Sequence, residues 1–312
     1  MNGEPLRIGT RSSPLALWQA TWVAQELRQS GQPVEIVHVS TTGDVTTGPL
    51  GEIGGQGLFT KEIQAALLDN RVDIAVHSLK DLPTEQTPGL ALAAVPVREA
   101  CGDVLVSRGG FHVDTLPHGA IIGTGSVRRR AQLLHVRSDL DIRDIRGNVE
   151  TRLRKMDEGE YDAIVLAEAG LRRLEMAERI VHVMDKRIML PAVGQGALGI
   201  EVREKDHRAR QAVSVLHHPD SYHCVQAERR LLAELRGGCL APVGAWGRIE
   251  VERNLLHLDG IVISGDGVQK ISAYACGPPE KAEEIGRQVA SQLIIQGAQR
   301  IISYARNTGG RG

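Results

Sequence analysis

The stretch IIGTGSVRRRAQLLHV, residues 121–136, decides how the middle of this chain folds. Its first three residues predict a short strand, Thr124-Gly125-Ser126 predicts a turn with a helix N-cap, and residues 127–136 predict a helix. Arg128 and Arg129 then fall in the first helical turn, where cations oppose the helix dipole unless an anion is present. Free backbone N–H groups at the same end would help to hold that anion. The stretch therefore predicts an anion site at a strand–turn–helix junction.

Arginine remains dense beyond this stretch, up to residue 154, although the chain as a whole is balanced. It has 37 Lys and Arg against 38 Asp and Glu, which gives a net charge of −1. Such a balance argues against a general nucleic-acid binder. An aromatic content of 3% also provides too few aromatic side chains for stacking on nucleic-acid bases. Local cations without global basicity indicate a compact anionic ligand. The alternative for each single arginine is an ordinary surface charge paired with a nearby acid.

The length of 312 residues allows two or three domains. No apolar run is long enough to span a bilayer and the N-terminus has no apolar signal core, so we expect a cytoplasmic protein. The four cysteines, Cys101, Cys224, Cys239 and Cys276, are scattered without zinc-site spacing. We therefore expect free thiols and no metal.

Strands and helices alternate through the first two-thirds of the chain, in two successive blocks. This order predicts α/β architecture with two doubly wound domains flanking a cleft. Three alternating segments and a long helix, residues 279–296, predict a small α+β domain at the C-terminus. The predicted boundaries are 1–98 with 196–216 for domain 1, 102–191 for domain 2 and 219–312 for domain 3.

Three further segments could carry chemistry. DIAVHSLKDLP places Lys80 and Asp81 just after a strand, where ligand sites form in open α/β sheets, although an ordinary surface ion pair fits as well. RIGTRSSPLALWQ repeats the strand–turn–helix pattern with Arg11 and Ser13. LRGGCLAPVG places Cys239 on a glycine-rich loop, either as an inert thiol or as a nucleophile or attachment point.

Two other functions fit parts of the sequence. A hinged small-molecule binding protein without catalysis would also have two α/β blocks joined by a double crossover. A nucleotide-dependent enzyme could use the glycine-rich loop 48–57, but that loop lacks the Gly-Lys-Ser/Thr ending of a phosphate-binding loop.

Long motifs along nearly the whole chain resemble the porphobilinogen deaminase (hydroxymethylbilane synthase) family. They are RIGTRSSPLALWQA, GGQGLFTKEI, DIAVHSLKDLP, GTGSVRRR, IRGNVETRL, YDAIVLAEAGLRRL, LPAVGQGALGIE and AERRLLAELRGGCLAPVG. The resemblance implies periplasmic-binding-protein-like folding of the first two domains. It also implies an enzyme that joins four porphobilinogen molecules head to tail, with release of ammonia, on a dipyrromethane cofactor. We expect a monomer that binds neither nucleic acid nor membrane.

The resemblance also assigns roles to residues. Asp81 matches the catalytic aspartate, which would stabilise the cation left when ammonia departs, and Cys239 matches the cysteine that holds the cofactor by a thioether. The residues matched to cofactor binding, besides these two, are Ser78, Lys80, Thr124, Ser126, Arg128 and Arg129. Those matched to the substrate or the growing chain are Arg11, Ser13, Gln19, Phe59, Arg146, Arg152 and Arg173. The arginines left as ordinary charges are Arg130, Arg137, Arg143 and Arg154.

Two positions depart from the family pattern. Gln56 stands where many relatives have Lys, and Glu150 stands where many have Gly. We expect Glu150 to point outward and to pair with Arg154, four residues further on.

Overall fold

Strands and helices alternate through most of the chain in the computed structural model, which describes residues 4–40, 60–238 and 241–308. The chain divides into two compact units, one of residues 1–99 and 197–222 and the other of residues 100–196 and 223–312. The glycine-rich loop 48–57 lies outside the described residues. In the described part, no helix is both long and apolar enough to cross a membrane.

The first unit is built on a five-stranded mixed sheet with the order β2-β1-β3-β10-β4. Its strands are β1 (Leu6–Thr10), β2 (Val34–His38), β3 (Ile74–Ser78), β4 (Leu90–Ala94) and β10 (Leu198–Arg203). β1 pairs in parallel with β2 and β3, whereas β10 runs antiparallel to β3 and β4.

Helices cover both faces of this sheet. They are α1 (Pro14–Gln29), α2 (Lys61–Leu68) and α6 (His207–Ser214). Ile74 and Val76 pack in a core with α1 and α6, while the intervening Ala75 packs in another core with α2. Successive side chains of a strand point to opposite faces, so the sheet is wound on both sides.

The second unit contains a sheet with the corresponding order, β7-β6-β8-β5-β9. Its strands are β5 (Asp103–Ser107), β6 (Ile121–Gly123), β7 (Asp141–Arg143), β8 (Ala163–Ala167) and β9 (His182–Val183). β6 pairs in parallel with β7 and β8, and β5 runs antiparallel to β8. The helices beside it are α3 (Val127–Val136), α4 (Val149–Asp157) and α5 (Glu168–Arg173).

The C-terminal part of the second unit is an antiparallel three-stranded sheet with helices packed on one face. Its strands are β11 (Val243–Glu250), β12 (Leu255–Ile263) and β13 (Lys270–Gly277), and its helices are α7 (Pro219–Glu234), α8 (Ala282–Ile295) and α9 (Ala298–Thr308). This sheet also packs on α3, where Ala131 shares a small core with Ile261 and Ile263 and the carbonyl of Gly267 lies 2.8 Å from His135 Nδ1.

The predicted fold class is confirmed: two doubly wound α/β sheets and a small C-terminal α+β part. Strand β9 and helices α6 and α9 were not predicted, and the predicted helix 279–296 begins as a 3-10 turn over Pro279–Lys281 before α8. Proline has no N–H to donate, which suits it to such a first turn. The division into three domains at the stated boundaries stays a prediction.

Candidate functional site

Polar side chains of the first unit collect where β1 and β3 end. The two strands are adjacent and parallel, so the residues that follow them lie at the same edge of the sheet. Gln19, which is 2% exposed on α1, donates from Nε2 to Ser78 Oγ at the end of β3, 2.9 Å away. The structure thus brings together two predicted site residues that are 59 positions apart.

A 3-10 turn, Leu79–Asp81, follows β3 and presents Lys80 and Asp81, both half-buried. The turn is anchored through buried Leu79, whose N–H donates to the carbonyl of Ala197 across 3.0 Å. Ser13, after β1, is the N-cap of α1 and accepts from the N–H of Ala16 at 3.4 Å.

The second unit repeats this arrangement where β6 ends. Thr124 is buried, and its Oγ1 accepts from the N–H of Ser126 at 3.2 Å. Ser126 caps α3 by accepting from the N–H of Arg129 at 3.4 Å. The predicted strand, turn and helix are confirmed here. A serine hydroxyl that accepts at a cap keeps its own hydrogen to donate, so Ser126 can still bind an acid.

Arg128 and Arg129 do not extend into solvent. They are 4% and 6% exposed, and both guanidiniums contact Asp103, which is 0% exposed. Arg128 Nη1 lies 2.6 Å from Asp103 Oδ2, and Arg129 Nε and Nη2 lie 2.9 and 2.8 Å from Oδ1. Backbone carbonyls fix the same groups, since Arg128 donates to Leu190 at 2.6 Å and Arg129 to Val165 at 2.8 Å.

This buried cluster holds two positive charges against one negative charge. Burial alone would raise the pKa of Asp103, but Arg128 and Arg129 outweigh it and keep that pKa well below its usual range. Burial lowers the pKa of Arg129, and the charge of Asp103 opposes the change. Arg128 Nε is buried without a hydrogen-bond partner. The cluster therefore carries one positive charge in excess and one N–H group without an acceptor.

Four further arginines were predicted as site residues. Arg11 is half-buried directly after β1, and the three in the second unit differ in exposure. Arg146 and Arg152 are half-buried; the first bonds Asp144 through Nε at 3.0 Å and the second donates to the carbonyl of Gly147 at 2.8 Å. Arg173 is 7% exposed and donates to the carbonyl of Gly196 at 2.7 Å. Arg146 and Arg152 are the more accessible to a ligand.

The arginines expected to be ordinary charges have local partners. Arg137, Arg143 and Arg154 pair with Asp139, Asp141 and Glu158, and Arg130 donates to the carbonyl of Ile142. The expectation that Glu150 pairs with Arg154 is wrong. Arg154 Nη1 instead lies 2.6 Å from both carboxylate oxygens of Glu158. Glu158 stands at the exposed end of α4, where its side chain can turn back onto the last helical turn.

Three buried side chains near this edge were missed by the sequence reasoning. They are Asp103, Gln195, which donates to Asp103 Oδ1 at 3.0 Å, and Glu228, which accepts from the N–H groups of Gly194 and Gly247 at 2.8 and 2.7 Å. A sequence signal was available for Asp103: it is an acid at the start of the apolar strand DVLVS, and a buried acid needs polar partners.

Cys239 and Phe59 lie outside the described residues. The other three cysteines are free thiols, with Cys101 half-buried, Cys224 buried and Cys276 exposed. Within the described ranges, no group of three His, Cys, Asp or Glu side chains is placed to hold a metal ion.

The fold and these side chains define a class of protein: one with two doubly wound α/β sheets that carries cations and hydroxyls where its strands end. The chain matches the family model described as "Porphobilinogen deaminase, dipyromethane cofactor binding domain" over residues 6–211 and "Porphobilinogen deaminase, C-terminal domain" over residues 222–294. It is 48% identical to porphobilinogen deaminase of Syntrophotalea carbinolica over 97% of this chain and 96% of that protein. It is 47% identical to that of Chlorobium chlorochromatii over 98% and 99%.

The chain belongs to the porphobilinogen deaminase family. It is accordingly a transferase of tetrapyrrole biosynthesis, a hydroxymethylbilane synthase, and its cofactor is dipyrromethane.

Solved structures give fold likeness only. An ancestral cationic amino acid solute binding protein is 17% identical with a TM-score of 0.42, over 68% of this chain and 87% of that chain. A periplasmic substrate-binding protein from Coxiella burnetii is 19% identical with a TM-score of 0.42, over 70% and 94%.

The described residues fit a dipyrromethane. Its pyrroles carry acetate and propionate groups, and the buried cluster has an excess positive charge and an unpartnered Arg128 Nε. The hydroxyls of Thr124 and Ser126 stand at the same helix start. Guanidinium and hydroxyl donors are the groups that recognise carboxylates in proteins.

Proposed function

We propose that two sets of residues perform the head-to-tail joining of four porphobilinogen molecules, one that holds the cofactor acids and one that meets the substrate or the growing chain. The observation that carries the proposal is the buried cluster of Arg128, Arg129 and Asp103, which leaves one positive charge for an acid. The dipyrromethane, when bound, supplies the pyrrole carbon from which the chain grows. The residues proposed to hold its acids are Ser78, Lys80, Thr124, Ser126, Arg128 and Arg129.

Asp81 is the proposed catalytic residue. Departure of the substrate's aminomethyl nitrogen as ammonia leaves a cationic pyrrole, and a nearby carboxylate stabilises that charge and accepts hydrogen bonds from pyrrole N–H groups. The support is its place in an anchored turn after β3, at the carboxyl end of a parallel strand. An anchored turn keeps a carboxylate in position without reorganisation during the reaction.

The residues proposed to meet porphobilinogen or the growing chain are Arg11, Ser13, Gln19, Phe59, Arg146, Arg152 and Arg173. The half-buried state of Arg146 and Arg152 supports this division, because an incoming acid can reach them from solvent. The bond between Gln19 and Ser78 supports a shared binding edge in the first unit.

Cys239 is the proposed point of attachment, through a thioether. Intact mass tests this: the wild-type protein should carry added mass equal to two linked pyrrole units, and Cys239→Ser should lack it. Cys276→Ser, which alters an exposed thiol, is the control and should keep the added mass. Unmodified wild-type protein that releases no ammonia from porphobilinogen would instead favour a binding protein without catalysis.

We also propose that the protein acts as a cytoplasmic monomer without nucleic-acid or membrane partners. The support is the near-zero net charge together with the family resemblance. Sedimentation at several concentrations should give one species near 33.8 kDa.

A further inference from the structure

Asp103 lies at the centre of the buried arginine cluster and has no exposure to solvent. Its two oxygens have different partners: Oδ2 accepts from Arg128, whereas Oδ1 accepts from Arg129 and Gln195. Gln195 also donates to the carbonyls of Cys101 and Gly102 at 2.9 and 3.0 Å, which holds the backbone just before Asp103. The carboxylate is therefore itself fixed in place.

The direction of β5 brings Asp103 to this position. β5 runs antiparallel to β8 and pairs Asp103 with Ala167, so the first residue of β5 lies at the edge where β8 ends. β6 is parallel to β8 and ends at the same edge, where α3 begins. Asp103 thus lies against the first turn of α3, where it contacts Arg128 and Arg129.

We propose that Asp103 is a positioning residue for the reaction, one that orients Arg128 and Arg129 toward the cofactor acids and leaves their cluster a single positive charge. The inference rests on the proposed function. Each guanidinium is held at two points, by Asp103 and by a carbonyl of Leu190 or Val165. Such double contacts fix the plane of a guanidinium as well as its place.

Removing the Asp103 charge has two consequences. Two buried guanidiniums would then face each other with no buried counter-ion, and like charges in a low dielectric repel strongly. At least one of them would leave its place to regain solvent or another partner. Arg128 and Arg129 would still be present in the variant, but their guanidiniums would no longer be held in the same positions.

The first unit offers a matched control. Asp73, 9% exposed, also receives two arginines: Arg7 Nη2 at 2.9 Å and Arg203 Nη2 at 2.8 Å. It precedes β3 and faces Arg7 on β1, so it lies at the opposite edge of its sheet from Ser78 and Asp81. Asp73→Asn removes the same charge from a similar pair without touching either binding edge.

The experiment compares wild-type protein with Asp103→Asn, Asp103→Glu and Asp73→Asn. The fraction of purified protein that carries the two-pyrrole mass is measured with the melting temperature. We expect both Asn variants to melt at lower temperature, but only Asp103→Asn to lose cofactor, by at least about tenfold. Asp103→Glu, which keeps the charge and shifts it by one methylene, should load partly.

The outcomes separate the inference from the proposed function. Wild-type protein without the added mass would contradict the proposed function itself. Full loading of Asp103→Asn, or loss of cofactor from Asp73→Asn in proportion to its melting temperature, would overturn the positioning role. Should Asp103→Asn not fold, Asp103→Glu decides: wild-type loading, with unchanged KM for porphobilinogen, contradicts the inference.

Discussion

At the scale of residues, Asp103 and Asp73 share one arrangement: a buried or nearly buried aspartate that contacts two arginines. Asp103 lies at the edge where the cofactor acids are proposed to bind, and Asp73 lies at the opposite edge of the other sheet. Two arginines that lose their shared carboxylate are left as uncompensated positive charges, so these aspartates are sensitive to substitution. The same residue pattern therefore serves stability in one place and a proposed site in the other.

Asp73 predicts a pH dependence of stability. Burial would raise the pKa of Asp73, but hydrogen bonds from Arg7 and Arg203 lower it to about 2. A lowered pKa in the folded state stabilises the fold above the unfolded value, near 3.8, and this stabilisation is lost as the pH falls toward 2. Urea unfolding at pH 5 and pH 2.5 should show wild type losing up to ~2 kcal/mol more than Asp73→Asn. Equal losses in the two proteins would contradict the assignment.

The catalytic role of Asp81 gives a second prediction. Asp81→Asn keeps the size of the side chain but removes the negative charge, so turnover should fall by about 100-fold or more while the fold stays intact. Ammonia release and far-UV circular dichroism measure the two effects. Asp69→Asn, at an exposed aspartate of the same unit, is the control and should behave as wild type. Normal turnover in Asp81→Asn would refute the role.

At the scale of elements, the strand–turn–helix junction recurs at both proposed binding edges. α1 begins at Pro14 after β1, and α3 begins at Val127 after β6; the N-caps that precede them are Ser13 and Ser126. The elements were predictable there because the N-cap, the proline or turn residues and the apolar periodicity agree. Strand β9 and helix α6 were missed because two residues give no period and His207–Ser214 is mostly polar.

The C-terminal sheet offers a prediction about packing between elements. A Cβ at Gly247 would lie 2.8 Å from the carbonyl oxygen of Cys224 and 3.1 Å from its Cα, both backbone atoms of α7. Gly247→Ala should therefore destabilise the protein by about 1–3 kcal/mol in urea unfolding. Gly265→Ala, where a Cβ meets nothing within 4 Å, is the control. Equal free energies of unfolding for the two variants would contradict the prediction, because they would show that α7 and β11 can move apart without loss of stability.

At the scale of the whole molecule, net charge and local charge differ. The chain has a net charge of −1, yet positive charge is locally in excess in the buried cluster of Arg128, Arg129 and Asp103. Half-buried arginines lie at the edge of the same sheet. Salt screens exposed charges much more than buried ones. The proposed cofactor and substrate residues should therefore respond differently to ionic strength.

Raising the salt concentration tests this difference. Between about 0.05 and 0.5 M salt, the KM for porphobilinogen should rise several-fold as Arg146 and Arg152 are screened, while the cofactor-loaded mass stays unchanged. Initial rates and intact mass measure the two. A KM that does not respond to salt would count against the proposed substrate role of the two arginines.

The sequence by itself determined the α/β class, the helix that starts at Val127 and the family, because these depend on local periodicity, caps and long motifs. Only the tertiary structure decided that β5 is antiparallel, which puts Asp103 under Arg128 and Arg129 instead of at the far edge of the sheet. Strand direction depends on pairing between residues such as Asp103 and Ala167, which are far apart in the sequence, and no local pattern encodes it. The arginine stretch thus pointed to an anion, whereas the fold supplied the acid that keeps two of its arginines buried and in place.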